Sequence, residues 1–198
     1  YIVVPMFALA VTPDARRALA SCALAAAALA LAGAAAFDIS PRALRVTAIA
    51  AGAAAAGLHL QLMHAALRAG MRRELGPSFR LVRVAWALLP VSLIAGLAVA
   101  LDAPIAGMSL YFGLLLIGGW LLTFLLGILQ RIVPFLAAMH AGPGKDRALT
   151  PSKLTSAGPL AIHYYCHFAA LAMIALAVLV DSAWLVRAGA FTGLVGAL

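Results

Sequence analysis

The sequence predicts an all-α protein, a polytopic bundle of transmembrane helices with five full spans and two partial spans at its ends. Of the 198 residues, 66% are hydrophobic and only 10% are charged, whereas soluble domains are near half apolar and a quarter charged. The mean hydropathy is +1.08. Several apolar runs reach the roughly 20 residues that a helix needs to cross a bilayer. These observations favour the lipid bilayer as the environment of the chain.

Breaker residues divide the chain into its expected helices. A partial helix over 1–11 ends before Pro13 and Asp14. Pro159 suits the first turn of the last full span, because its missing N–H would be unpaired there in any case. The chain begins and ends inside apolar runs, so we interpret 1–198 as a single transmembrane domain from a longer protein. Full spans are expected at about 18–37, 43–68, 79–101, 108–139 and 159–180, with a second partial helix over 186–198.

The positive charges predict the orientation of the spans. The net charge of +8 comes with 14 basic residues, which lie in short connections between apolar runs. Nucleic acid is therefore excluded as a partner, and the positive-inside pattern explains the charge better. The connections 12–17, 68–83 and 140–158 are expected to be cytoplasmic. Together with Arg131 they hold eleven of the basic residues: Arg16, Arg17, Arg68, Arg72, Arg73, Arg80, Arg83, Arg131, Lys145, Arg147 and Lys153.

A short internal repeat favours a parent protein built from four-helix units. The segment Val3–Ala8 resembles Ile132–Ala137, with Pro5 and Pro134 at matching positions. Each segment is expected to end a helix at the cytoplasmic side, and the two copies are four spans apart. A proline near a helix end can free a carbonyl for a neighbour or cofactor, but it can equally just stop the helix.

Five histidines are the main candidates for binding a cofactor, and all five map to the cytoplasmic side. His64 and His163 are each about one turn deep, whereas His59 and His167 are about two turns deep or more. His163 and His167 share a helix face, because residues four apart lie about 40° apart around the axis. His59 and His64 are about 140° apart, so they cannot both face one partner. His140 ends the fourth full span.

Imidazole pairs on two membrane helices are typical of haem ligation. Copper, zinc or another transition metal is the alternative. A carboxylate-bridged di-iron site and a zinc hydrolase are disfavoured, because the spans contain no glutamate and no HExxH motif. The sequence most favours His59 and His167 as a bridging pair, followed by His64 and His163. The competing interpretations are proton or substrate passage and helix packing through hydrogen bonds.

Arg131 is a further candidate for binding the cofactor. It lies beside Pro134 near the cytoplasmic end of its span. A guanidinium group matches a haem propionate as a charged fork, whereas an interfacial arginine that extends toward the headgroups is the simpler interpretation. The haem would be b-type, because the chain has no CxxCH attachment motif.

The run Gly-Gly-Trp-Leu-Leu-Thr-Phe-Leu-Leu-Gly-Ile-Leu-Gln-Arg-Ile-Val-Pro-Phe-Leu, residues 118–136, resembles a helix of the haem–copper-oxidase-like membrane proteins. It is closest in character to the NnrS-like bacterial group. The four-helix repeat is similar as well, since that superfamily is built from arcs of four helices.

The resemblance implies a haem-bearing protein of the bacterial inner membrane with a respiratory or nitrosative-stress role. It would work as a subunit of a respiratory oxidoreductase or beside other membrane subunits. The chain lacks the copper-site pattern of a true oxidase, which is a histidine and cross-linked-tyrosine helix followed by a His-His pair. The resemblance therefore implies electron transfer or binding of a diatomic gas rather than oxygen reduction. The alternative is a non-enzymatic subunit or transporter.

Overall fold

The computed structural model describes residues 1–37, 41–71, 76, 78–140 and 154–198. This part of the protein is all-helical, with no strand. The seven helices of the described residues are α1 Val3–Ala8, α2 Ala15–Ala35, α3 Pro41–Ala69, α4 Ser78–Ala100, α5 Met108–His140, α6 Ala157–Val180 and α7 Ala183–Ala197. The helix α5 includes a π-helical stretch at Leu114–Leu122.

The predicted fold class is confirmed. Helices α2 to α6 are long and apolar enough to cross a membrane, so the chain is a multi-pass membrane protein. The helix α2 begins earlier than expected because the Asp14 side chain accepts a hydrogen bond from the Arg17 backbone N–H at 2.9 Å. The helix α1 is shorter than expected, since Leu9 adopts a left-handed conformation with φ 51° and ends it.

Both prolines of the internal repeat lie within helices. Pro5 is inside α1, and Pro134 is inside α5, which continues to His140. Pro134 therefore does not stop its helix. Its missing N–H instead removes one hydrogen bond from the middle of the last α-helical stretch.

The chain divides into two compact units. Unit 1 comprises Tyr1–Leu75 and Trp86–Leu116, and unit 2 comprises Gly76–Ala85 and Ile117–Leu198. The histidines are divided between them, with His59 and His64 in unit 1 and the other three in unit 2. Parts of the predicted cytoplasmic connections, including Arg72, Arg73, Lys145, Arg147 and Lys153, lie outside the described residues.

In unit 1, α2 packs along α3. The buried Ser21 hydroxyl donates a hydrogen bond to the Ala55 carbonyl at 3.0 Å, which links the two helices as polar side chains do within bilayers. Gly96 lets the backbone of α4 lie close to side chains of α3 and α5, because a Cβ at this position would be 2.8 Å from atoms of Ile49 and Phe112.

At one end of unit 1, Arg45 Nη2 approaches Asp102 Oδ1 at 2.9 Å and Oδ2 at 3.2 Å. Asp102 is half exposed, so the ion pair contributes little to stability. A cavity of about 330 Å³ borders the pair and is also lined by Met108 and Ser109.

In unit 2, α6 packs along α7 through glycines of α7. A Cβ at Gly189 would lie 2.8 Å from Ile174, and one at Gly196 would lie 2.6 Å from the Cys166 Cβ. Both distances are shorter than real Cβ contacts, so a side chain at either position would push the two helices apart. These glycines therefore set how closely the backbone of α7 approaches α6.

The small-residue stripe of α5, Gly119, Thr123 and Gly127, is buried. A Cβ at Gly127 would lie 2.9 Å from Val82 and 3.0 Å from the Ser78 carbonyl oxygen. These small residues let the backbone of α5 lie close to the first turns of α4.

Large apolar side chains remain exposed along the spans. Leu29 is 79% exposed, Ile94 is 70% exposed and Leu179 is 71% exposed. In a soluble protein, extended apolar surface marks an interaction site. Here it lies on helices long enough to span a bilayer, and this surface is suited to contact with lipid chains.

Candidate histidine site

His163 uses one ring nitrogen in a hydrogen bond and leaves the other without a partner among the described residues. It lies in the second turn of α6, and its Nδ1 is 2.8 Å from the Gly196 carbonyl oxygen on α7. A carbonyl only accepts hydrogen bonds, so Nδ1 carries the hydrogen. In the neutral ring, Nε2 then holds the lone pair. This Nε2 is buried and has no hydrogen-bond partner among the described residues.

The arrangement at His163 matches the usual surroundings of a metal-bound histidine. Such residues almost always donate their other ring N–H to a carbonyl, carboxylate or water, which fixes the tautomer and makes the ligating nitrogen more basic. The hydrogen bond between His163 Nδ1 and the Gly196 carbonyl depends on the glycine having no side chain. Without a side chain at Gly196, the last turn of α7 approaches α6 closely enough for its carbonyl to reach His163.

His167 is held differently from His163. Its Nε2 is 2.7 Å from the Thr123 hydroxyl oxygen, and that hydroxyl donates to the Gly118 carbonyl at 2.9 Å. The hydroxyl has one hydrogen and gives it to Gly118, so it accepts from His167. The Nε2 of His167 therefore carries a hydrogen and donates it. This nitrogen stabilises the packing of α6 against α5 and is not available as a ligand.

The hydrogen bonds of Thr123 also lie at the end of the π-helical stretch of α5. Gly118 is within Leu114–Leu122, and Thr123 is the first residue after it. Stretches of π-helix are rare and occur frequently at functional sites. The Thr123 hydroxyl thus connects His167 to a distorted segment of the neighbouring helix.

Replacing Thr123 by valine is expected to lower the free energy of unfolding by about 1 kcal/mol, since interhelical hydrogen bonds in membranes contribute about 0.6–1.7 kcal/mol. Valine keeps the shape of threonine but cannot accept from His167. The measurement is unfolding by SDS titration in mixed micelles. Thr192→Val is the matched control, because Thr192 bonds only within its own helix, to the Ala188 carbonyl at 2.8 Å. Equal effects of the two substitutions would contradict an interhelical role for Thr123.

The rings of His163 and His167 lie on one face of α6, as their spacing predicts. Their centroids are 6.3 Å apart, and their planes differ by 2°. The Nε2 atoms of the two parallel rings nevertheless have opposite hydrogen-bonding roles. His163 offers a lone pair at Nε2, whereas His167 uses the same atom as a donor.

His59 and His64 differ in their surroundings within unit 1. His59 is half-buried and contacts two aromatic rings edge-on, Tyr1 at 5.1 Å and Trp86 at 6.2 Å between centroids. His64 is exposed on α3. The two side chains therefore differ in exposure, which fits their predicted separation around the helix.

The remaining candidates in unit 2 have local partners. His140, the last residue of α5, donates through Nδ1 to the Leu136 carbonyl at 2.8 Å. The guanidinium carbon of Arg131 lies 5.7 Å from the centre of the Phe79 ring, a cation–π contact. His140 is exposed at the end of α5.

The donor set of the described residues suits some cofactors better than others. Residues 1–37, 41–71, 76, 78–140 and 154–198 contain no group of three or more His, Cys, Asp or Glu side chains that could hold a metal ion. A tetrahedral zinc site needs three or four protein ligands. Haem iron takes four nitrogens from its own porphyrin and needs one or two from the protein. A single imidazole with a buried lone pair therefore matches the number of protein ligands that haem needs better than the number that zinc needs.

Comparison with known proteins finds no matching family model, no matching curated protein and no matching solved structure.

Three features of this site carry no prediction from the sequence. They are the hydrogen bond between Thr123 and His167, the hydrogen bond between His163 and the Gly196 carbonyl, and the π-helical stretch of α5. The small-residue spacing of α5 could have indicated a polar partner for His167, because threonine is the stripe's single hydrogen-bonding side chain. No comparable signal marks Gly196, whose contribution is a backbone carbonyl.

Proposed function

We propose that this chain belongs to an integral membrane protein that binds b-type haem through His163. The observation that carries the proposal is the buried, unpartnered Nε2 of His163, together with the hydrogen bond from its Nδ1 to Gly196. An unsatisfied buried nitrogen destabilises the protein by about 1–3 kcal/mol. Coordination of a metal would remove that cost.

The surroundings of His163 suit this role. The Gly196 carbonyl orients the imidazole and increases the basicity of Nε2. The Nε2 atom is buried, and a buried, weakly polar environment would tune the redox potential of a bound haem. Arg131 is the candidate partner for a propionate, because its planar guanidinium can donate to both carboxylate oxygens. When bound, haem would supply an iron centre able to exchange one electron or to bind a diatomic gas.

We further propose a respiratory role in the bacterial inner membrane, in electron transfer or in handling a diatomic gas. The support is the resemblance of residues 118–136 to haem–copper-oxidase-like and NnrS-like proteins. The charge pattern supports an orientation with the connections 12–17, 68–83 and 140–158 in the cytoplasm. His163, near the start of α6, would then lie close to the cytoplasmic face.

A second candidate function is a non-enzymatic subunit or transporter whose histidines pack helices. The hydrogen bonds of His167 to Thr123 and of His140 to Leu136 favour this interpretation for those two residues. It does not account for His163, whose Nε2 has no partner among the described residues.

Haem titration of the purified full-length protein in lipid nanodiscs separates the two functions. We expect a Soret band that saturates at about one haem per chain. A protein that acquires no Soret absorbance beyond that of empty nanodiscs would contradict the haem proposal and favour the packing function. Metal analysis of the same preparation tests copper and zinc as alternatives.

A further inference from the structure

In unit 1, three polar aromatic side chains from different segments meet around His59. Tyr1 precedes α1, His59 lies on α3 and Trp86 lies on α4. The His59 ring contacts the other two edge-on, at interplanar angles of 71° and 75°. We name Tyr1, His59 and Trp86 the aromatic cluster.

The aromatic cluster contains buried polar atoms without partners. Tyr1 Oη and Trp86 Nε1 are both buried, and neither has a hydrogen bond among the described residues. Other buried polar groups of the same unit are satisfied: Ser21 donates to Ala55 and Ser92 donates to Leu89. Unpaired buried donors are rare and costly in proteins. Two of them beside one histidine indicate a binding site for a polar group.

The chemistry of these atoms defines the ligand. An indole N–H can only donate, so the group that satisfies Trp86 must be an acceptor. Tyrosine and neutral histidine can either donate or accept, so they tolerate a carbonyl or a hydroxyl. None of the three side chains carries a permanent charge, so they offer a ligand hydrogen bonds rather than an ion pair. Their rings offer edges and faces against which a flat ring can pack.

We propose that the aromatic cluster binds a neutral, membrane-soluble ring compound through a carbonyl oxygen, the chemistry of a quinone. Two of the three residues lie on α3 and α4, which are long and apolar enough to span the bilayer in which such a molecule dissolves. The proposal concerns binding and is independent of haem at His163. It also gives His59 a role other than metal coordination.

The test is equilibrium binding of a short-chain ubiquinone analogue to the full-length protein in nanodiscs, with empty nanodiscs subtracted. We expect saturable binding by the native protein. Trp86→Phe keeps the ring but removes the N–H, and it should weaken binding about fivefold to tenfold, as the loss of one hydrogen bond does. His59→Leu should weaken it at least as much. Circular dichroism establishes that the variants retain their helices.

Two controls make the result specific. Trp184→Phe makes the same chemical change at a residue that is 76% exposed, and it should leave binding unchanged. Thr192→Val removes a hydrogen bond within α7, and it should also leave binding unchanged. The proposal is overturned if the native protein shows no saturable binding, as expected of a site that holds only water. It is equally overturned if Trp86→Phe and Trp184→Phe bind alike.

Discussion

Replacing His163 by alanine is expected to lower haem affinity by more than about 100-fold, since loss of a second-shell partner alone typically costs about 10–100-fold. The physical reason is the loss of the one α6 nitrogen with a buried lone pair and no partner among the described residues. Haem titration of the variant, followed by its Soret absorbance, measures the effect. The affinity of His163→Gly should recover when free imidazole is added.

His167→Ala is the matched control on the same helix face. It removes a ring whose Nε2 donates to Thr123, so it should reduce the stability of the protein but lower haem affinity less than about tenfold. A reversed result, with affinity lost in His167→Ala and retained in His163→Ala, would refute the assignment of the ligand. It would instead support the pair His59 and His167 that the sequence alone favours.

Gly196→Ala is expected to destabilise the protein by about 1–3 kcal/mol, the typical cost of overpacking a tight interface. The added Cβ would lie 2.6 Å from the Cys166 Cβ, so α7 must move away from α6. The same displacement lengthens the hydrogen bond from His163 Nδ1 to the Gly196 carbonyl. Haem affinity should therefore fall by about 10–100-fold, as it does when a second-shell partner is lost. SDS unfolding and haem titration measure the two effects.

The control is the same substitution one turn earlier on the same helix. A Cβ at Gly193 would be 3.6 Å from the Ala170 Cβ, an ordinary contact. Gly193→Ala should therefore be neutral or stabilising, because alanine favours helix by about 1 kcal/mol over glycine. If Gly196→Ala proved as stable as Gly193→Ala and bound haem equally well, the close approach of α7 would not support the site.

The spans were predictable because they depend on local composition. Helix length and hydropathy are properties of consecutive residues, and the two largest shifts of a helix start occur where the caps Asp14 and Ser182 add a turn. The shared face of His163 and His167 was predictable for the same reason, since helical spacing alone places them together.

The distinction between the two histidines of α6 could not be predicted. His163 and His167 are equivalent in spacing and in hydropathy. They differ because His163 meets a backbone carbonyl 33 residues away and His167 meets a hydroxyl 44 residues away. Such contacts depend on how the helices pack. Glycines such as Gly196 allow close packing, but a glycine in the sequence does not predict which backbone carbonyl will accept a hydrogen bond. The aromatic cluster was missed likewise, because its members come from three segments distant in sequence.

We propose that the Nε2 atom of His163 is the nitrogen that would bind haem iron. Resonance Raman spectroscopy of the ferrous haem-loaded protein tests this assignment, because the iron–histidine stretching band comes from the bond between the ligand and the iron. We predict that this band is present in the native protein and in His167→Ala, is absent in His163→Gly, and returns when imidazole is added. A band that persists unchanged in His163→Gly without imidazole would contradict the claim.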